Sequence, residues 1–208
     1  LRQADREKSL QALMTTNLLK RLESSVEAFR ITLNKLKIKH ADTLSTIEAF
    51  NQRGEDKGIA DNSAYYENAE PDDDSFLEME EDVIGGKVQI KLSDMDVASW
   101  EHDLKVDIAI VEALLSEMQK ITPENDTKLQ HLKTQIDSKV HNPINADNKK
   151  ILIFTAFADT ANYLYDNLSG SIQNRHGLHT GKVTGSSTPT STLKRNYDFE
   201  SLLTSFSP

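Results

Sequence analysis

Gly177-Leu178-His179-Thr180-Gly181-Lys182-Val183 is the stretch of this sequence that comes nearest to a nucleotide-phosphate cradle. A Walker-type loop needs four residues between its glycines, a lysine that reaches the phosphates and then a hydroxyl that ligates magnesium, all on a turn from strand into helix. Here three residues separate the glycines, Val183 stands where the hydroxyl should be, and the stretch leads into a strand candidate. It is therefore read as a loop, and nothing else in the chain supplies the main phosphate site of an ATPase. Metal chemistry is equally thin. His176 and His179 form the only close histidine pair among six, with no cysteine anywhere and no carboxylate cluster beside them, so a surface loop is the better reading than a ligand set. Serine is plentiful, but no Gly-x-Ser-x-Gly elbow is present, and no nucleophile, base and orienter can be assembled.

The elements that could position such residues fall into a helical part and a mixed part. Leu10, Met14, Leu18, Leu22, Val26, Phe29, Leu33 and Leu36 recur at spacings of three and four, which predicts one long amphipathic helix stopped at Gly54 and Gly58. Val97, Trp100, Leu104, Ile108, Val111, Leu115 and Met118 repeat that spacing, so a second long helix is expected to pack antiparallel on the first. Thr122-Pro123 reads as the cap and first position of a third helix with the stripe Leu129, Leu132, Ile136 and Val140, ended by Asn142-Pro143.

From Lys149 the pattern changes. Ile151-Leu152-Ile153-Phe154 is a short continuous apolar run that fits a strand covered on both faces. A helix carrying Phe157, Ala161, Leu164 and Leu168 follows and is expected to close at Ser169-Gly170. A strand at 180–184, a turn and a last helix with Leu193, Phe199, Leu203 and Phe206 complete the chain. The fold class expected is therefore α/β with a large helical part: long antiparallel helices followed by the opening of a parallel-sheet lobe. The segments are 1–57 (helical), 58–92 (acidic loop), 93–146 (helical) and 147–208 (α/β).

The net charge of −9 is concentrated. Ten acids and no lysine or arginine lie between Gly58 and Gly86, so that tract reads as a solvated loop and the rest of the chain is close to neutral. A nucleic-acid partner is thus not excluded by charge. There is no run of about 18 apolar residues and no signal-peptide pattern, which makes the cytoplasm the expected address and a membrane partner unexpected. The chain opens on Leu1 and stops at Pro208 just after a helical pattern, and it reads as a piece of a larger protein.

Lys150-Ile151-Leu152-Ile153-Phe154-Thr155-Ala156-Phe157-Ala158-Asp159-Thr160, the helix to Leu168 and then Val183-Thr184-Gly185-Ser186-Ser187 resemble the start of the second RecA-like lobe of superfamily 2 helicases, most closely the SWI/SNF-type branch and its bacterial relatives. Asp126 to Leu132 resembles the helix just upstream of that lobe. Asn17 to Arg30 resembles the helical segment after the first lobe in bacterial members. The resemblance implies a fragment of an ATP-dependent helicase or DNA translocase. It implies that Thr155, Ala156 and Phe157, the turn Gly185, Ser186 and Ser187, and the cations Lys194 and Arg195 lie on the surface that tracks a nucleic-acid backbone, with duplex DNA the expected form. ATP and magnesium would belong to the intact parent, whose first motor lobe is the implied protein partner. This chain, without Walker lysine, magnesium acid or arginine finger, would hold no cofactor and be inactive alone. A non-enzymatic helical adaptor with a small α/β cap is the alternative reading.

Overall fold

The computed structural model describes residues 3–53, 59–61, 88–90, 92–185, 187–194 and 198–207. Six α-helices dominate them: α1 (Gln3–Ser24), α2 (Val26–Arg53), α3 (Val97–Gln119), α4 (Thr127–His141), α5 (Ala158–His176) and α6 (Phe199–Phe206). Two short antiparallel pairs accompany them, β1 (Ile59–Asp61) with β2 (Val88–Ile90) and β3 (Gly181–Lys182) with β4 (Thr190–Ser191). The chain divides into two compact units, one of residues 1–21 and 29–120, the other of 22–28 and 121–208.

In the first unit α2 and α3 pack antiparallel, as their stripes require. Phe29 and Leu33 near the start of α2 bury against Val111 and Leu115 near the end of α3. Ile47, toward the other end of α2, meets Leu104 and the fully buried Leu92. Polar groups keep the same register: the Arg30 guanidinium donates to the Met118 carbonyl at 3.1 Å, Lys37 pairs with Glu112 at 2.7 Å and the Asn51 amide donates to Glu101 at 3.1 Å. Asp96 starts α3 by accepting from the Ser99 backbone N–H at 3.2 Å and the Ser99 hydroxyl at 2.7 Å, which satisfies one of the orphan donors of the first turn.

The long first helix expected from Leu10 to Leu36 is in fact two. It breaks at Ser25, whose buried hydroxyl accepts from the Ala28 N–H at 3.0 Å and so caps α2. Serine offers the backbone an alternative to the helical ladder, and here the local bond wins over the continuous apolar spacing. Leu22, read as part of the stripe, is exposed, whereas Asn17 and Arg21 are buried. The expected stop at Gly54 and Gly58 and most of the acidic tract lie outside the described residues. The segment 58–92 is not wholly loop, because β1 and β2 pair across it with Ile59 opposite Ile90.

In the second unit the stripe of α4 is buried as read, with Leu129, Ile136 and Val140 meeting Leu168 of α5. The helix begins later than Thr122-Pro123 suggested. Thr122 to Asn125 form a turn in which the Thr122 N–H donates to the Asn125 side chain at 2.7 Å, and Asp126 is the cap, accepting from Leu129 N–H at 3.0 Å. Helix α5 runs through Ser169-Gly170 and stops at Gly177, which takes the left-handed φ of 66° that glycine adopts without strain. One glycine inside a helix is a small cost when Leu168 and Ile172 continue the buried stripe across it.

The expected parallel sheet is absent among the described residues. Residues 151–154 have no regular secondary structure and join no ladder, and Leu152 (63% exposed), Ile153 (40%) and Phe154 (86%) face solvent. The strand expected at 180–184 shrinks to β3 and folds back on β4 as a hairpin. A buried parallel strand needs neighbours in the ladder and cover on both faces, and among the described residues the segment 151–154 has no ladder neighbour, with only Ile151 packed against the core of α4 and α5. The last helix is capped by Asp198 and begins at Phe199, so Leu193 lies outside it, and it buries no residue.

Candidate nucleic-acid interface

Thr155, Ala156 and Phe157 lead from the apolar run 151–154 into α5. Only Ala156 is exposed. Phe157 is 6% exposed and belongs to the core, so the apolar ring anchors the turn and is not offered to a ligand. Thr155 accepts from the Phe157 N–H at 3.3 Å, which shapes the turn from within.

Around Thr155 lies a hydroxyl cluster that sequence reading did not find. The Ser24 hydroxyl is 3.4 Å from that of Thr155 and 2.8 Å from that of Thr160, and the buried Ser25 hydroxyl is 2.9 Å from Thr160. Lys128 donates to the carbonyls of Glu23 and, at 3.1 Å, Ser24, where its charge suits the negative end of α1. The break between α1 and α2 is thereby tied to the turn that opens α5. Ser24-Ser25 inside an apolar periodicity is the only local signal of the break, and nothing local joins residue 24 to residue 155. The hydroxyls bond one another and backbone groups. No imidazole or carboxylate meets them among the described residues, so the cluster positions backbone and does not activate a nucleophile.

The second predicted group is placed separately. Gly185 and Ser187 are exposed, and the Ser187 hydroxyl is 2.5 Å from that of Thr184, closing the turn locally. Lys194 is exposed; Ser186 and Arg195 lie outside the described residues. The hairpin below this turn rests on α5, with the Lys182 ammonium bonded to the Asn162 side chain and lying 5.4 Å from the Tyr165 ring. Lys182 is therefore engaged with α5.

The two close histidines also part company. His176 meets Asp137 of α4 at 2.7 Å, while His179 meets the Thr192 hydroxyl at 3.2 Å. Arg175 bonds the other Asp137 oxygen at 2.9 Å, and His141 stands edge-on to His176 at 5.5 Å. The hydrogen bond with His176, aided by the charge of Arg175, holds the Asp137 carboxyl below the usual carboxylate range. The cavity beside them is about 10 Å³, lined by Lys133, Ser171 and Ile172 among others, room for one water and no substrate. No group of three metal-ligating side chains occurs among the described residues, and no described helix is long and apolar enough to cross a membrane.

No family model, curated protein or solved structure matches this chain.

Proposed function

We propose that this chain is part of an ATP-driven superfamily 2 helicase or translocase, contributing the helical region between the motor lobes and the opening of the second lobe. The observation that carries the reading is the segment Ile151-Leu152-Ile153-Phe154. It is a continuous apolar run without a ladder partner among the described residues, and it leads at once into a long helix whose inner face is buried. A continuous apolar run before a helix suits a parallel strand covered on both faces, and it coincides with the residues that carry the sequence resemblance, which supports the reading.

On this reading the strand tip at Thr155 and Ala156 and the turn at Gly185 and Ser187 face a nucleic-acid backbone. Contact there would come from backbone N–H groups and small hydroxyls, with Lys194 and Arg195 adding charge, and would not read bases. Ser24, Ser25 and Thr160 would set the position of the tip without touching nucleic acid. ATP and magnesium would be held elsewhere in the motor, and duplex DNA is the expected track. The cytoplasm is the expected compartment.

A second reading, a helical adaptor with a small cap, draws support from the dominance of helix and from the shortness of β3 and β4. ATP hydrolysis measured with and without duplex DNA, on this chain and on the full product of the gene that encodes it, separates the two. DNA-stimulated hydrolysis by the full product and none by the chain is the result expected of a divided motor. Silence in both removes the motor reading and leaves the adaptor.

A further inference from the structure

Three backbone groups that would close one helix across the break between α1 and α2 are each held by something else. In a continuous helix the Ala28 N–H bonds the Ser24 carbonyl and the Glu27 N–H bonds the Glu23 carbonyl. Here the Ala28 N–H goes to the Ser25 hydroxyl at 3.0 Å. Both carbonyls accept instead from the Lys128 ammonium, that of Ser24 at 3.1 Å. Ser25 is the one residue between the two helices that is outside either. The interruption is thus a single residue wide, and two side chains, Ser25 itself and a lysine of α4, occupy the groups that would remove it.

The surrounding sequence suits an unbroken helix. No proline or glycine occurs from Leu1 to Arg53, and a serine inside a helix is a weak breaker. The buried residues Asn17, Arg21, Ser25, Ala28 and Thr32 follow one another by four, four, three and four. The apolar row Leu18, Leu22, Val26, Phe29 and Leu33 runs beside them in the same steps. Both rows keep helical phase through residue 25, so closing the ladder there calls for no rotation of one helix about the other. Trading side-chain partners for ladder partners is also close to neutral in hydrogen bonds, and two near-equal arrangements of the same groups are what a switching element requires.

We infer that residues 22–28 form a two-state joint, broken while Lys128 and Thr160 hold Ser24 and Ser25, and closed into one continuous helix when that hold is released. The hold comes from the turn that opens α5. The Thr160 hydroxyl is 2.8 Å from that of Ser24 and 2.9 Å from that of Ser25, and Thr155 stands 3.4 Å from Ser24. All of these groups belong to the second unit, whereas α1 up to Arg21 and α2 from Phe29 belong to the first. The chain itself therefore carries a change at this turn into the helices of the first unit. Neither nucleic acid nor ATP enters the equilibrium, so its test is separate from that of the motor reading.

Nuclear magnetic resonance on the whole chain tests this with Ser25→Ala, Lys128→Met and the two together. Release should turn residue 25 helical, read as a move of its Cα chemical shift into the helical range. Amide exchange at Ala28 should slow about tenfold or more, because a bond inside a helix opens less often than one in a first turn. Thr160→Val, which removes the shared hydroxyl without altering residues 22–28, should move the Cα shift of Ser25 the same way by a smaller amount. Loss of an ordinary cap predicts the reverse, faster exchange at Ala28 with residue 25 still non-helical, and that result overturns the joint. A Thr160→Val chain with parent values at Ser25 overturns the part assigned to the turn of α5. Where the double variant fails to fold, the single variants decide, since each is expected to shift both readings in the direction of closure.

Discussion

Asp137 shows how much a single side chain can couple two helices. Its carboxylate stands on α4 and is met by His176 and Arg175 of α5 at 2.7 and 2.9 Å, so the two helices are joined at their polar edge as well as by their leucines. Because those partners hold its carboxyl below the usual range, folding favours the ionised form. The resulting stability is fully present above the carboxylate pKa of the unfolded chain and is lost as pH falls through the lower folded value. Melting temperature followed from about pH 6 to about pH 3 should therefore fall less steeply in Asp137→Asn than in the parent, with the variant the less stable of the two at the upper end. Parallel curves would show that the pair contributes nothing. Thr160 invites a different test. It is 4% exposed and bonds both Ser24 and Ser25, so Thr160→Val keeps the shape and removes the shared hydroxyl. Two serine hydroxyls then lose a partner in a largely dry site, and urea unfolding should show a loss of about 1–3 kcal/mol; no change would mean that water replaces the bond.

At the scale of elements, legibility tracked distance along the chain. The stripes of α2, α3 and α4 could be read because core-facing positions repeat every three or four residues, and the middle of each is buried, Leu33, Val111 and Ile136 among them, while others such as Leu36, Ile108 and Leu132 are half-buried. Helix ends were read less well, since several residues compete for a cap. Asp126 outcompeted Thr122, and Gly177 outcompeted Gly170, in both cases because the winning residue leaves a longer buried stripe or satisfies a free N–H. The hydroxyl cluster at Ser24, Thr155 and Thr160 was not legible at all, because its bonds join residues more than 130 positions apart. The glycines of α5 turn this argument into numbers. A methyl group at Gly170 meets nothing within 4 Å, so Gly170→Ala should stabilise by about 0.5–1 kcal/mol through the lower entropy of the unfolded chain. Gly177→Ala forces alanine into a left-handed conformation and should cost about 1 kcal/mol. Opposite shifts in the thermal midpoint are the expected result, and equal shifts would mean that α5 does not end where its left-handed glycine lies.

For the molecule as a whole, the exposed run Leu152-Ile153-Phe154 is where the motor reading proposed above can be tested. Phe154 is 86% exposed, so in the chain by itself Phe154→Ser removes almost no buried surface. Its unfolding free energy should stay within about 0.5 kcal/mol of the parent, while binding of a hydrophobic dye and any tendency to aggregate should drop, because an exposed apolar run is a site for association. If, as proposed above, this segment is a strand of a larger lobe, the same ring would lie between sheet and helix there, and its loss would cost a transfer and a cavity contribution together, about 3 kcal/mol or more. The ratio of the two effects measures how far the sheet is completed around residues 151–154. A large loss in the full gene product beside a negligible one in the chain is the outcome that follows from a strand with absent neighbours. A negligible loss in both would mean that this segment remains on the surface, and the resemblance of its sequence to a helicase strand would then be one of composition and not of place in a fold.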